Sequence, residues 1–333
     1  MFNHTITWVI IVLLIIVITY FVGPVPPKPV YSTEWPKVPA DFSELEAYIA
    51  AREDSLPVRK DNQARILWHD SIPRMTEYSF VYLHGFSGSY RDGYPVNVNV
   101  ADTFGANIYL ARWADHGLRP SHSLEHFTPE TAWESAREAL AIGSRIGKKV
   151  IVMSTSTGGT LGFQLAAKFP DSVFALINMS PNLKDDVPGT FLLNSPWGME
   201  LAMLVSLGDS RELQHEEPEA SQYWDTIYPA RALVNLQALV STVVKKETFE
   251  QVTCPVQTLY YHKNMFEEDE RVEVNKIPRV HKQLATPAAM EETVALDTPG
   301  THFIGSDIKS KDYRAAQREI IRFCREKLQM KVK

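Results

Sequence analysis

The amino-acid sequence predicts an α/β fold, in which a mostly parallel sheet carries helices on both faces. The chief observation is that short apolar runs typical of strands alternate with longer runs typical of helices. Strands that are separated by helices form a parallel sheet covered on both sides. A second observation is the abrupt change from strand-like to helix-like residues around Ser156. The alternation is interrupted only between about residues 183 and 252.

The N-terminal segment differs from everything after it. Ile6–Val22 carries no charged side chain, with Trp8 near one end and Tyr20 and Phe21 near the other. A helix of about 20 apolar residues spans a bilayer, and aromatic side chains favour its two interfaces. The basic start and small-residue cleavage site of a signal peptide are missing. The sequence therefore predicts an uncleaved transmembrane anchor over residues 1–23 and a single-pass membrane protein, with the side of the remaining chain left open.

Residues 24–40 are rich in proline, which predicts a stiff, extended linker. Asp41-Phe42-Ser43-Glu44 resembles a capping box, so a short helix is expected over Leu45–Arg52. One folded domain is predicted over residues 41–333.

Seven strand-like runs and three longer helix-like runs follow. The strands are expected at Arg65–His69, Tyr78–Leu83, Asn107–Arg112, Lys149–Met153, Val173–Met179, Pro255–Tyr261 and Thr293–Asp297. The helices are expected at Pro129–Ile146, Thr157–Phe169 and Arg314–Leu328.

The interruption at about 183–252 contains no clear strand but many aromatic, leucine and methionine side chains, among them Trp197, Trp224 and Tyr228. An apolar insertion between sheet strands predicts a helical cap over the functional site. A plain helical subdomain with an ordinary core is the alternative.

Composition excludes some functions. The chain has 333 residues, 44% of them hydrophobic, so it can bury a large core. Its formal net charge is −6 and it has no basic blocks, which argues against nucleic-acid binding. The two cysteines, Cys254 and Cys324, have no metal-ligand spacing and imply no disulfide framework. Neither a metal nor a cofactor is expected.

The strongest motif is the strand–turn–helix around Ser156. The turn reads S-x-S-x-G over Ser154–Gly158, close to the G-x-S-x-G of a nucleophile elbow. Small residues are needed on both sides because strand and helix nearly touch, and a nucleophile at Ser154 would place Val152 at a crowded position. Glycine-rich turns also bind phosphate or simply allow close packing, but neither nucleotide-binding motif is present. The turn alone leaves two interpretations open: Ser156 is a nucleophile, or the turn has only a structural role.

An oxyanion-binding loop is expected after the run Phe80–Leu83, which leads into His84-Gly85-Phe86. The backbone N–H groups of Phe86 and Thr157 are the predicted donors to an oxyanion. His84 itself is expected to be structural.

A serine nucleophile needs an imidazole to take its proton and a carboxylate to orient that imidazole. His302 follows a short strand and a glycine turn near the C-terminus, where an elbow of this kind places its base. His262 lies too early in the chain and His281 lies in a helix-like segment. His302 is therefore the predicted base.

The acid is expected between the nucleophile and the base in the chain. The strand-like run Pro255–Tyr261 leads into an acidic loop. Asn264, soon after the strand, has no charge and stabilises an imidazolium poorly. Asp269 stands in an Asp-x-x-Val pattern and is the predicted acid, with two alternatives: Glu268 and Glu267.

From about Arg65 to Leu328 the chain resembles the α/β-hydrolase superfamily, and within it the group of monoacylglycerol lipases, lysophospholipases and serine aminopeptidases. The residues that carry the resemblance are His84-Gly85-Phe86, Asp115-His116-Gly117, Ser154–Gly159, Asp269-x-x-Val272 and Gly300-x-His302. Three positions depart from the group: Asp115 and Ser154 replace glycines, and Asn264 stands where aspartate is common. The resemblance implies a metal-free hydrolase that works through an acyl-enzyme.

These observations predict a membrane-anchored serine hydrolase of carboxylic esters, with an acyl-chain substrate such as a monoacylglycerol or lysophospholipid. An amidase or aminopeptidase would use the same triad and would need a carboxylate for a free amine. Three cap residues could supply it: Glu216, Glu217 or Glu219. The remaining alternative is a catalytically inactive hydrolase fold that serves as a binding protein.

Overall fold

A computed structural model describes residues 2–186, 188–214 and 216–333. Met1 of the predicted anchor, and Val187 and His215 of the predicted cap, lie outside these ranges. The strands are β1 Arg65–Leu67, β2 Thr76–Leu83, β3 Asn107–Leu110, β4 Gly147–Thr155, β5 Ala175–Met179, β6 Ser210–Glu212, β7 Ile227–Pro229, β8 Val256–Asn264, β9 Glu267–Glu268 and β10 Glu291–Leu296. The helices are α1 Phe2–Val22, α2 Phe42–Asp54, α3 Val96–Thr103, α4 Pro129–Ile146, α5 Thr157–Lys168, α6 Gly198–Ser206, α7 Ala220–Tyr223, α8 Arg231–Val243, α9 Lys246–Phe249, α10 Lys276–His281 and α11 Tyr313–Glu326.

The main sheet has the strand order β1-β3-β2-β4-β5-β8-β10. Neighbours are parallel except for β1, which runs antiparallel to β3, and β9, which pairs with β8 as an antiparallel extension. Each of the seven predicted strand-like runs overlaps one strand of this order. The prediction of a mostly parallel sheet is confirmed.

Successive side chains of a strand point to opposite faces, and β2 uses both. Val81 and Leu83 pack on the face covered by α4 and α5. Phe80 and Tyr82 pack on the opposite face, with α3 and α11. Because both faces are covered, the last five residues of β2 are all buried. The parallel strands also end at one common edge, which gathers the loops after β2, β4, β5, β8 and β10.

The segment between β5 and β8, residues 180–255, carries the inserted elements α6 to α9. It also contains a two-stranded antiparallel sheet, β6 with β7, where the sequence predicted no strand. Each of these strands has three residues. Runs this short leave no alternation from which a strand can be recognised. We refer to residues 183–252 as the cap.

Helix α1 coincides with the apolar run at the N-terminus. In the part of the chain that the structure describes, however, no helix has both the length and the apolar character needed to cross a bilayer. The predicted transmembrane anchor over residues 1–23 and the predicted single-pass membrane localisation are therefore wrong.

Residues 24–40 form no regular secondary structure and lie against the folded domain. The Tyr31 hydroxyl is 2.6 Å from Oγ1 of Thr242, and the Ser32 carbonyl accepts a 2.7 Å hydrogen bond from the indole of Trp133. At the end of α1, Trp197 of the cap donates through its indole to the Thr19 carbonyl at 3.0 Å. The proline-rich segment is thus held to the domain by side-chain contacts.

Candidate active site

Ser156 lies in the turn between β4 and α5 with φ 54° and ψ −121°. A non-glycine residue at positive φ is strained and persists only where surrounding contacts hold it. The Ser156 N–H donates to the Met179 carbonyl on β5 at 3.1 Å, and its carbonyl accepts from Gly159 and Asn182 at 2.9 and 2.8 Å. The turn is therefore fixed from both sides, and Ser156 is presented at the carboxyl edge of the sheet.

The residues two positions before and after Ser156, Ser154 and Gly158, are small because of what lies next to them. A Cβ at Gly158 would lie 2.1 Å from the carbonyl oxygen of Leu83, so only glycine fits between α5 and β2. At the other flank, the buried hydroxyl of Ser154 donates to Oδ1 of Asn178 on β5 at 2.7 Å. The serine that replaces the usual glycine is thus tolerated because its hydroxyl has a partner.

Two backbone N–H groups face the region beside Ser156. Phe86 occupies a tight turn closed by the Gly88 N–H, which donates to the Gly85 carbonyl at 3.1 Å. Thr157 is the first residue of α5, where the helix offers its N–H no partner. Within the described chain, neither the Phe86 nor the Thr157 N–H donates to another backbone carbonyl. Both donors remain available for an oxygen of a bound molecule.

The loop that carries Phe86 is supported from below by buried side chains. His84 accepts from the Trp113 N–H at 3.2 Å and, through Nδ1, donates to the Gly85 carbonyl at 2.8 Å. Burial lowers the pKa of His84 to about 4, so its ring is neutral. Asp92 accepts from the Gly85 N–H at 2.6 Å and from the hydroxyl of Tyr82. His84 has a structural environment, as its position in the sequence predicts.

His302 and Asp269 are in direct contact. Nδ1 of His302 lies 2.7 Å from Oδ2 and 2.9 Å from Oδ1 of Asp269, and both side chains are buried. Burial alone would raise the pKa of Asp269, but the charge of His302, its hydrogen bond and the Arg271 N–H outweigh burial and lower it. Asp269 is thus a carboxylate at neutral pH. Its hydrogen bond places the His302 proton on Nδ1 and leaves Nε2 free to accept a proton.

The alternative acids have other partners. Glu268 pairs with His262 at 2.9 Å, and Glu267 pairs with Lys263 at 2.7 Å. Asn264 closes the β8–β9 turn by accepting from the backbone of Phe266 and Glu267. Of the acidic loop residues weighed from the sequence, Asp269 is the one that contacts His302.

Ser156 and His302 line one cavity of about 430 Å³, together with Phe86 and Thr157. No hydrogen bond joins Ser156 to His302 within the described chain, and such contacts are commonly long in an enzyme without substrate. The structure thus brings all five predicted site residues to one place: Ser156, His302, Asp269, Phe86 and Thr157.

The cap supplies most of the apolar wall of this cavity. Its apolar lining residues from this segment are Leu193, Val205, Leu213, Tyr228, Leu233 and Leu236. Tyr228 packs edge to face on Phe86, with ring centroids 5.4 Å apart. An elongated apolar group is the kind of ligand that such a wall accommodates.

Four charged side chains also line the cavity: Asp185, Arg211, Glu270 and Arg271. Only Asp185 and Arg271 could have been found from the sequence, because Asp185 follows β5 and Arg271 follows the predicted acid. Arg211 reaches the site through the unpredicted β6–β7 pair. The three glutamates proposed for an amine site, Glu216, Glu217 and Glu219, are absent from the lining, and Glu217 is bound by Lys309.

Comparison with known proteins identifies the fold that carries this site. No family model and no curated protein sequence matches the chain. Solved structures do match. A structure from LipS and LipT, two metagenome-derived lipolytic enzymes, has a TM-score of 0.63 and 15% identity, covering 81% of this chain and 99% of that one. The monoacylglycerol lipase of Paleococcus ferrophilus has a TM-score of 0.57 and 14% identity, covering 78% and 96%.

A soluble variant of the Saccharomyces cerevisiae monoglyceride lipase, solved with a substrate analogue, has a TM-score of 0.57 and 12% identity, covering 78% of this chain and 89% of that one. The chain therefore has the α/β-hydrolase fold, as its sequence motifs indicate.

Proposed function

We propose that this chain is a serine hydrolase that cleaves carboxylic esters through an acyl-enzyme, with residues 41–333 as its catalytic domain and the cap inserted in it. The observation that carries the proposal is the buried Asp269–His302 pair, whose histidine lines the same cavity as Ser156 on its strained turn. Fold alone does not define an activity, so the argument rests on these side chains.

In the first step Ser156 Oγ attacks the ester carbonyl carbon and its proton passes to Nε2 of His302. Asp269, bonded to Nδ1, orients the imidazole and stabilises the imidazolium that forms. The unpartnered N–H groups of Phe86 and Thr157 bind the oxyanion of the tetrahedral intermediate. Each such donor contributes about 10²–10³ in rate.

Collapse of the intermediate breaks the bond to the leaving alkoxide, which takes the proton from His302. Water then attacks the acyl-enzyme, again with His302 as base, and releases the carboxylic acid and Ser156. The chemistry uses side chains and backbone donors that are all present in the chain.

The apolar cap wall favours substrates with an acyl chain, such as a monoacylglycerol or lysophospholipid. Three of the solved structures with this fold are named as lipolytic enzymes or monoacylglycerol lipases. The amine-binding alternative has no support from the cap glutamates, since none of the three lines the cavity.

The test is labelling with a fluorophosphonate probe, which reacts with an activated serine irrespective of substrate. We expect labelling of the wild-type chain and hydrolysis of p-nitrophenyl hexanoate, both lost in Ser156→Ala. Ser154→Ala is the matched control, because its hydroxyl lies two residues away and points to Asn178.

Folded wild-type protein that takes no label would favour the inactive binding protein. Labelling that survives in Ser156→Ala would assign the nucleophile elsewhere. Faster cleavage of aminoacyl p-nitroanilides than of acyl esters would favour the amidase.

A further inference from the structure

Two guanidinium groups face the cavity of Ser156 without a carboxylate partner. Arg211 lies on β6 of the cap and Arg271 lies in the loop after β9, and both line the cavity. Within the described chain, neither side chain takes part in an ion pair or a hydrogen bond. The other arginine near this region, Arg59, is by contrast held by Asp225 at 2.7 Å.

Arg211 is aimed by the β6–β7 pair. It lies directly opposite Tyr228 in the antiparallel register, so both side chains leave the same face of the hairpin. Tyr228 in turn packs on Phe86, one of the proposed oxyanion donors. Arg211 is therefore paired with a residue that contacts the oxyanion loop.

Arg271 lines the same cavity from the loop that carries the proposed acid. Its backbone N–H donates to Oδ1 of Asp269 at 3.0 Å, which fixes the residue beside the proposed acid. Its guanidinium lies 5.2 Å from the centre of the Phe303 ring, which follows His302. Burial raises the pKa of Tyr228 to about 12, and the charges of Arg211 and Arg271 both oppose that rise.

Two carboxyl groups in the same cavity do not neutralise these cations by contact. Asp185 accepts a 2.9 Å hydrogen bond from the Asn182 amide, and burial raises its pKa. Glu270, which is exposed to solvent like Arg271, forms no ion pair with either arginine within the described chain. The two guanidinium groups are the arginine donors of the cavity, and within the described chain neither has a hydrogen-bonding or ion-pairing partner.

We propose that Arg211 and Arg271 form a subsite for an anionic group, a carboxylate or a phosphate, carried by the same molecule as the ester that Ser156 cleaves. This inference rests on the proposed esterase function and narrows its substrate class. The planar fork of arginine donates two parallel hydrogen bonds to either anion. The substrate is thus an amphiphile whose apolar part contacts the cap and whose charged end lies between the two arginines.

The experiment compares esters that differ only in the anionic group. For a carboxylate on the acyl chain, the pair is p-nitrophenyl hexanoate and mono-p-nitrophenyl adipate. For a phosphate on the alcohol, the pair is hexanoylglycerol and hexanoylglycerol phosphate, followed by release of hexanoic acid. We expect the wild-type chain to prefer the anionic member of at least one pair in kcat/KM by about tenfold or more, the effect of a hydrogen bond to a charged group.

The variants Arg211→Met and Arg271→Met keep an unbranched stem and remove the charge. We expect each to lower the ratio of kcat/KM for anionic over neutral ester by about tenfold, mainly through KM. Arg279→Met, on the exposed side of α10, is the control and keeps the wild-type ratio. A ratio is informative even where a variant loses overall activity, because misfolding lowers both rates together.

A measurement on the wild-type chain alone supports the variants: the preference for the anionic ester should shrink as salt screens the charges. The pair that shows the preference identifies the group as a carboxylate or a phosphate. Hydrolysis of the neutral esters with no preference in either pair would overturn the subsite and leave the esterase intact. If no ester of either pair is cleaved, the proposed function fails and the subsite with it.

Discussion

Nδ1 of His302 lies 2.7 Å from Oδ2 of Asp269, although Asp269 is the third consecutive acidic residue in its loop. The turn at Asn264 directs Glu267 and Glu268 to Lys263 and His262, which leaves Asp269 to face the imidazole. Neighbouring carboxylates in one loop thus have separate roles because a hairpin precedes them.

This separation predicts a large difference between two amide substitutions. Asp269→Asn should lower kcat by about a thousandfold or more, because the amide no longer stabilises the correct tautomer or the imidazolium of His302. Glu268→Gln, one residue earlier, should keep wild-type kcat. The measurement is the steady-state hydrolysis of p-nitrophenyl hexanoate, and equal losses in the two variants would remove Asp269 from the proposed triad.

Restoring the usual glycine at position 154 should destabilise the protein. Ser154→Gly leaves Oδ1 of Asn178 without its 2.7 Å donor, at a cost of about 1–3 kcal/mol, and adds the backbone entropy of glycine in a strand. Urea denaturation of Ser154→Gly, Asn178→Ala and the double variant forms the test. The two losses should be non-additive, since the residues are hydrogen-bonded, and strict additivity would contradict the coupling.

The buried pair of Arg59 and Asp225 predicts that the stability lost in Arg59→Met depends on pH. Burial raises the pKa of Asp225 to about 7 despite the opposing charge of Arg59. Without Arg59, the buried carboxyl is neutral at pH 5, but at pH 8 it must either be ionised without a counter-charge or keep a proton that the unfolded chain releases. The loss of stability in Arg59→Met should therefore grow with pH, up to about 3–5 kcal/mol. Arg74→Met removes an exposed pair with Asp70 and should cost less than about 1 kcal/mol at either pH. A loss from Arg59→Met that is greater at pH 5 would refute this account.

Asp92 predicts a second pH effect with a definite sign. Burial raises its pKa to about 8, against hydrogen bonds from Tyr82 and Gly85 that lower it. The folded state therefore binds the proton more tightly than the unfolded state, whose pKa is about 3.9. Stability contributed by the protonated carboxyl is present at low pH and is lost as pH rises towards 8, at up to about 1.4 kcal/mol per pH unit.

Asp92→Asn removes this titration. The free energy of unfolding of the variant, relative to the wild type, should rise between pH 5 and pH 8 in urea denaturation. A difference that stays constant across this range would show that Asp92 does not titrate there.

The parts of the site that the sequence identified share one property: each is read from a local pattern at the end of a strand. Ser156 stands in its turn motif, His302 follows a glycine turn after β10, and Phe86 follows β2. Parallel strands place all such ends at one edge, so local patterns become spatial neighbours. The fold was predictable for the same reason, because seven apolar runs alternate with helices.

The remainder depends on contacts that no local pattern encodes. Arg211 and Tyr228 meet only through the pairing of two three-residue strands within the cap. The apolar run of α1 has the composition of an anchor, yet no helix among the described residues meets the requirements for crossing a bilayer. The Asp-x-x-Val pattern pointed to Asp269, but what turns Glu268 away from His302, the direction in which a hairpin leaves β8, is visible only in the structure.

The Asp225 N–H donates to the carbonyl of Ser87 at 2.7 Å, next to Phe86 in the oxyanion loop. The cap thus braces the peptide that would carry one of the two oxyanion donors. Changes in the cap that alter substrate selectivity should consequently also alter the rate of the reaction. A chimera that receives another enzyme's cap should change its rate on every substrate, even with its nucleophile, base and acid intact. In evolution, a new substrate range acquired through this segment would need compensating changes around Ser87.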